Sequence, residues 1–284
     1  MPTTRGFRAL TFDFALATDH DALRDHFEWL FADFGAAHDP PGTHVVGVTE
    51  RDGRTVVQLR EGGDGDVVAE GLDGPAFVGQ VVQWVNQRAT RADGLVSCHA
   101  GGVARGGAAC VLPAHTESGK TTLTTGLVRG GCAYVTDEAV AFDPDGTIRA
   151  YPKPLSLDPG SQHLFPELVP PLPPGLPAPD PSDGPHQWHV PVSAVRADAV
   201  ADDCRARLVV FPRYDGAATT GLRPMTRAEG LVELAKNTFH FSEASRRSLD
   251  RLADVVRGAE CHRLVVGDLD SACAVVDELL ANRA

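Results

Sequence analysis

The residues with the clearest chemical potential lie between Ala109 and Thr122, reading A-C-V-L-P-A-H-T-E-S-G-K-T-T. An apolar run, Ala108 to Leu112, ends in a turn, and Ser118-Gly119-Lys120-Thr121 leads into a helix expected over Thr122 to Arg129. Strand, loop and helix with Gly-Lys-Thr at the hinge is the context that a phosphate-binding P-loop requires. Backbone N–H groups of such a loop and the positive end of its helix converge on an anion. The Lys120 ammonium would reach the β and γ phosphates of ATP, and the Thr121 hydroxyl would hold Mg2+. His115, Thr116, Glu117, Ser118, Gly119, Lys120, Thr121 and Thr122 are therefore the candidate nucleotide site. Two positions depart from the usual loop pattern. Ala114 stands where G-x-x-x-x-G-K-[ST] has glycine, and Glu117 stands where the form G-x-S-G-x-G-K-[ST] has another. Alanine accepts positive φ poorly, and a carboxylate repels a triphosphate unless it points away or meets the metal, so a reshaped loop is expected.

A second chemical group follows the loop helix. The stretch A-Y-V-T-D-E-A-V-A-F, residues 133 to 142, places Asp137-Glu138 at the end of an apolar strand, the position of a Walker B motif. Paired carboxylates there coordinate Mg2+ and accept a proton from an attacking hydroxyl. Farther on, Y-P-K-P-L-S-L at 151 to 157 holds Lys153 between two prolines that lock an extended backbone, which would present a cation to substrate; an ordinary exposed lysine is the alternative. Arg213 in V-V-F-P-R-Y closes a strand and is a candidate phosphate or acceptor contact, because guanidinium binds oxyanions bidentately; a surface salt bridge is its alternative.

The elements that must position these groups suggest an α/β chain of two domains. Residues 1–92 read as a smaller α/β unit: a strand over Phe7 to Phe14, an amphipathic helix over Asp19 to Phe34 capped by Thr18 or Asp19, and strands over His44 to Glu50 and Thr55 to Arg60 joined at an Asp-Gly hairpin. A helix over Leu72 to Arg88 completes it. His20, His26, His38 and His44 share no metal-ligand spacing and read as solvated or capping groups. Residues 93–284 carry the P-loop. Strands over Trp188 to Val195 and Cys204 to Pro212, helices over Arg227 to Lys236 and Ser242 to Arg257, a strand over His262 to Val266 and a helix over Leu269 to Leu280 follow the acid pair. Between them, the Pro-rich run from Pro166 to Pro185 forbids regular ladders and reads as a substrate-covering loop or a passive linker.

Composition limits the partners. With 26 basic and 38 acidic residues the net charge is −12, which disfavours nucleic acid and anionic lipid. Six cysteines occur without any C-x-x-C pair and read as buried reduced thiols. No run is apolar enough to span a membrane, and M-P-T-T-R-G-F-R lacks the apolar core of a signal peptide, so a cytoplasmic protein is expected.

Taken in order, His99-Ala100, S-G-K-T-T-L at 118 to 123, Y-V-T-D-E at 134 to 138 and Y-P-K-P-L-S-L at 151 to 157 resemble the HPr kinase/phosphorylase superfamily, in particular its HPr kinase-related bacterial branch. V-V-F-P-R-Y and C-H-R-L-V-V-G-D-L, from 261, extend the resemblance over roughly residues 93 to 284. It implies the fold shared with ATP-dependent phosphoenolpyruvate carboxykinases, with ATP and Mg2+ as cofactors. It places His99 beside the reaction centre and makes Asp137 or Glu138 the general base, the other serving the metal. No counterpart of the E-x-R-G-x-G stretch of the HPr kinases proper is present, so neither HPr as acceptor nor the phosphorylase reaction is carried over. HPr kinases proper are hexamers, which leaves a homo-oligomer open. The expected activity is transfer of the γ-phosphoryl group to a Ser or Thr hydroxyl of a protein or ribosomal peptide, or to a small alcohol. The alternatives are a nucleotide-binding regulatory or scaffold protein without transfer activity and an NTPase coupled to a partner, the last lacking an identifiable water-positioning residue.

Overall fold

A computed structural model describes the chain from Met1 to Ala284 apart from residues 39–40, 53, 63, 92–93, 116–117 and 242–244. The chain is mixed α/β and forms two compact units, residues 1–92 with 153–194, and residues 93–152 with 195–284.

In the first unit the strand expected over Phe7 to Phe14 is instead a hairpin of β1 (Phe7–Ala9) and β2 (Phe12–Ala17). The chain reverses at Leu10, which adopts φ +56°. α1 (Asp21–Leu30) follows, shorter than expected, with His20 at its N-cap and no side-chain cap; the Thr18 hydroxyl instead accepts the His20 N–H at 3.3 Å. β3 (Gly35–Ala36), β4 (Gly42–Arg51), β5 (Arg54–Arg60) and β6 (Val67–Gly71) complete a sheet of order β3-β1-β2-β4-β5-β6. The hairpin between β4 and β5 falls where the Asp-Gly signal placed it, although Gly53 itself lies outside the described residues. α2 (Gly74–Ala89) starts after Asp73, whose carboxylate accepts the Ala76 N–H at 2.8 Å. Phe7, Phe14, Phe27, Phe31 and Phe77 are fully buried between sheet and helices. His26 and His44 are buried as well, against Trp29 at 5.4 Å and Trp84 at 4.6 Å, and are not the solvated groups expected.

The second unit begins with the hairpin of β7 (Val96–Arg105) and β8 (Ala108–Pro113), turned by Gly106 and Gly107 at positive φ. α3 (Lys120–Arg129), β9 (Ala133–Thr136), β10 (Ala139–Phe142) and β11 (Thr147–Arg149) follow. The next stretch returns to the first unit. β12 (Leu155–Leu157), the short α4 (Pro159–Gln162) and β13 (Trp188–Val190) lie there, with β12 and β13 paired antiparallel. The Pro-rich run between them makes 3-10 turns at Pro166–Leu168 and Pro181–Asp183 and packs on α2, where the Gly74 N–H donates to the Pro177 carbonyl at 2.8 Å. The sequence places residues 153–194 in the P-loop domain; their pairing and packing put them in the first unit.

β14 (Cys204–Tyr214), β15 (Gly221–Met225), α5 (Arg227–Lys236), α6 (Ser245–Gly258), β16 (Glu260–Val266) and α7 (Leu269–Ala281) complete the second unit. The helix expected from Ser242 begins at Ser245, and Ser242 lies outside the described residues. The sheet order is β11-β10-β7-β8-β14-β16-β15, with β9 also on β7 and β11 also on β14, so β10, β7, β8, β14 and β11 close on one another. β14 runs parallel to both β8 and β16. Every residue of β8 is buried, as expected of a strand covered on both faces. Val111, Val209 and Phe211 pack with Leu234, Leu252 and Val255 of α5 and α6, while α3 and α7 lie against β7 and β8. All six cysteines are unpaired thiols, five of them buried. Among the described residues no helix is long and apolar enough to cross a membrane.

Candidate functional site

Fully buried β8 delivers the chain to the end of the sheet at Pro113, and α3 carries it back from Lys120. The turn into the helix depends on Gly119, the N-cap, which adopts φ +83° and accepts the Leu123 N–H at 2.9 Å. An L-residue there would cost about 1–2 kcal/mol, so the glycine of the S-G-K-T hinge has a backbone reason. Ala114 is buried and does not take positive φ, so the loop leaves β8 without needing glycine at that point. Thr116 and Glu117 lie outside the described residues. The His115 carbonyl gathers two donors, Ser118 Oγ at 2.6 Å and Lys120 Nζ at 2.8 Å. Lys120 is thus buried at the first turn of α3 with its amine curled over the loop, and Thr121 and Thr122 follow half-buried.

Close packing holds this helix end in place. A Cβ on Gly101 of β7 would lie 2.5 Å from Thr124 Oγ1 in α3, and one on Gly126 of α3 would lie 2.8 Å from Cys273 Sγ in α7. Both glycines therefore let α3 approach its neighbours at backbone distance.

The acid pair sits across β7 from this helix end. β9 and β10 both pair with β7, in registers Thr136–Gly102 and Ala139–His99, so Asp137 and Glu138 interrupt one antiparallel ladder. The Thr136 hydroxyl stabilises the break by accepting the N–H groups of Glu138 and Ala139, each at 3.2 Å. Asp137 is buried with both oxygens engaged: Thr121 Oγ1 donates to Oδ2 at 3.0 Å, and the Tyr134 hydroxyl donates to Oδ1 at 2.8 Å. The same hydroxyl accepts the Asp137 N–H at 2.9 Å. Burial first, and then the charge of Asp137, push the Tyr134 hydroxyl well above its ordinary pKa, so it stays protonated and donating. Burial and the charges of Glu138 and Asp137 do the same to Tyr151.

Glu138 is half-buried, and its Oε1 lies 3.2 Å from His99 Nδ1. That is ion-pair distance, although neither His99 ring nitrogen reaches hydrogen-bond geometry with the described residues. The imidazole meets Phe239 edge-on at 5.6 Å, and the His99 N–H donates to the Asn237 carbonyl at 2.6 Å.

The structure thus joins Lys120, Thr121, Asp137, Glu138 and His99 around one helix end and one break in a ladder. Lys153 lies in the stretch that returns to the first unit. It is 3% exposed within the first unit, donating to the Pro154 carbonyl at 2.8 Å and to Ser156 Oγ at 3.0 Å, with Ser156 Oγ 3.2 Å from His189 Nδ1. The Lys153 side chain is buried and not the exposed cation expected. Arg213 is exposed at the end of β14, 3.7 Å from Asp215. Tyr134 was missed as a functional residue even though it stands three positions before Asp137 in the quoted motif. Asn237, whose carbonyl receives the His99 N–H, carries no local signal.

Among the described residues no group of three or more His, Cys, Asp or Glu side chains could hold a metal ion. Mg2+ at a phosphoryl-transfer site asks for less, one or two carboxylates together with phosphate oxygens and water, and Thr121 with Asp137 fits that requirement. No protein-family model matches the chain, and no curated protein matches it.

Proposed function

We propose that the second unit is an ATP- and Mg2+-dependent phosphotransferase of the HPr kinase-like P-loop type, passing the γ-phosphoryl group to a hydroxyl. The observation that carries this reading is the 3.0 Å bond from Thr121 to Asp137, which joins the first turn of the loop helix to a strand-end carboxylate. Lys120, the loop amides and the N-terminus of α3 would bind the phosphates, and Thr121 with Asp137 would hold Mg2+, which supplies charge neutralisation at the phosphates. Glu138 is the better base of the two acids. Asp137 has both oxygens committed, whereas Glu138 is half-exposed beside His99. Glu138 would take the acceptor's proton while His99 holds its carboxylate in place, and the rate gain would come from positioning and preorganised charge. The acceptor is a Ser or Thr hydroxyl of a protein or ribosomal peptide, or a small alcohol. Six unpaired thiols suit a reducing, cytoplasmic setting. A nucleotide sensor without transfer activity is the second reading, favoured by Glu117, a carboxylate in the loop sequence where the usual pattern has glycine.

Calorimetric titration with Mg·ATP and Mg·ADP tests the site. Saturable binding in the wild type that is lost in Lys120→Ala is the expected result. Absence of binding at millimolar nucleotide, or equal affinity in the variant, would overturn the P-loop assignment.

A further inference from the structure

A cleft of about 450 Å³ opens beside the loop that joins β8 to α3, where β8 and β14 end and β16 runs alongside. His115 and Ser118 of the loop form one wall, Arg213 and Arg263 another, and Glu233 and Asn237 of the α5 end a third. Ends of parallel strands beside a phosphate loop are where α/β sheets bind ligands.

The two arginines share a face. β14 and β16 pair in parallel with Phe211 opposite Arg263 and Arg213 opposite Val265, and paired or alternate residues of a sheet point the same way. Their nearest carboxylates, Asp215 at 3.7 Å from Arg213 and Glu233 at 3.9 Å from Arg263, stand beyond hydrogen-bond length, and the side chains are 77% and 46% exposed. Among the described residues, neither fork has a carboxylate within hydrogen-bond length. Arg223, opposite Arg263 on β15, extends the positive strip, in a chain whose net charge is −12. The same cleft adjoins the reaction centre, because Asn237, which lines it, accepts the His99 N–H on its carbonyl at 2.6 Å.

We infer that this cleft takes the anionic group of the hydroxyl-bearing acceptor, a carboxylate or a phosphate, between Arg213 and Arg263. The inference rests on the phosphotransferase reading. Two planar guanidiniums on one face of adjacent strands match the geometry of an oxyanion, and an acceptor anchored there would place its hydroxyl beside Glu138 and His99.

The test is calorimetric. The full chain is first saturated with Mg·ADP, so that added anion cannot occupy the α and β phosphate positions of the P-loop, and is then titrated separately with inorganic phosphate and with glycolate, the two arginine variants telling the cleft from the vacant γ position. Saturable binding of at least one anion is expected, weakened about tenfold or more in Arg213→Gln and in Arg263→Gln, with Mg·ADP affinity within twofold of the wild type. The stronger of the two probes separates a phosphate-bearing from a carboxylate-bearing acceptor. Normal Mg·ADP binding without an anion site, or anion binding untouched by both substitutions, would overturn this inference alone. Variants that weaken Mg·ADP instead would make the cleft a nucleoside subsite and would also overturn it. Failure of Mg·ADP to bind the wild type would remove the P-loop reading and this inference with it.

Discussion

Removing one oxygen atom from Tyr134 should disturb the metal side of the site and leave its phosphate side intact. The Tyr134 hydroxyl makes two bonds to one residue, donating to Asp137 Oδ1 at 2.8 Å and accepting the Asp137 N–H at 2.9 Å. In Tyr134→Phe the carboxylate loses a donor, a loss of roughly 1.5–3 kcal/mol for a bond to a charged group, and the N–H loses an acceptor, roughly 1 kcal/mol more. Both groups are buried, so water does not readily replace the hydroxyl. A total of about 2–4 kcal/mol corresponds to a fall in Tm of roughly 4–16 °C for a unit of this size. The orienting role is separate from that loss. With one oxygen unheld, the carboxylate can turn away from Thr121, and second-shell losses of this kind weaken metal binding about 10- to 100-fold. The assay is calorimetric titration with ADP across a Mg2+ series, beside a thermal melt without ligand. The Mg2+ concentration needed for half-maximal enhancement should rise at least tenfold, whereas ADP binding in excess EDTA should change little, because Lys120 donates to the His115 carbonyl of its own loop. A Tm within a degree of the wild type together with an unchanged Mg2+ series would refute the reasoning.

Gly101→Ala would drive a methyl to 2.5 Å from Thr124 Oγ1 and lift α3 from β7; a loss of about 1–3 kcal/mol in chemical denaturation is expected, with weakened nucleotide binding, and an unaffected variant would show that α3 tolerates the shift. In the first unit, burial pushes His26 down to about 4, and burial with the charge of Lys153 pushes His189 down to about 3. Their folded pKa values are depressed below the unfolded value near 6.5, so below that pH the unfolded chain binds protons that the folded unit refuses. Stability is therefore complete above about pH 6.5 and falls toward pH 4 by up to about 1.4 kcal/mol per pH unit for each histidine. Trp29, Trp84 and Trp188 all lie in this unit, so urea melts followed by tryptophan fluorescence at pH 7 and pH 5 report on it, and coincident midpoints would contradict the burial argument.

What was legible in the sequence was local. Gly119 announces the hinge because only its φ permits the turn, and the Thr226–Glu229 capping box fixes the start of α5 where the sequence puts it. What required partners distant in the chain was not legible. Alternation gives no reason for the chain to reverse at Leu10, and the short edge strands β6 and β15 carry no strong pattern of their own. The direction of Lys153 was beyond reach, because Ser156 and His189, more than thirty residues apart, form its surroundings. Asn237 reaches His99 only because β8 leaves β7 at Pro113, and the chain after α5 takes up the edge so vacated, pairing Cys98 with Thr238.

The break in the ladder also gives the two adjacent acids different surroundings. An uninterrupted strand would have sent Asp137 and Glu138 to opposite faces and tied both backbones to β7. Instead only the Glu138 carbonyl keeps a bond to β7, accepting the Ala100 N–H at 3.0 Å, while the Asp137 N–H turns back to the Tyr134 hydroxyl three residues earlier. That local loop points the Asp137 carboxylate at the first turn of α3 and leaves Glu138, itself half-buried, beside His99 in the body of β7. The consequence follows from geometry more than from acidity: a carboxylate with both oxygens bonded is suited to hold a cation in one place, and one that remains half-exposed is suited to receive a proton from an incoming group. Exchanging the two residue types would therefore not exchange their roles, because Tyr134 and Thr121 define position 137 and His99 defines position 138.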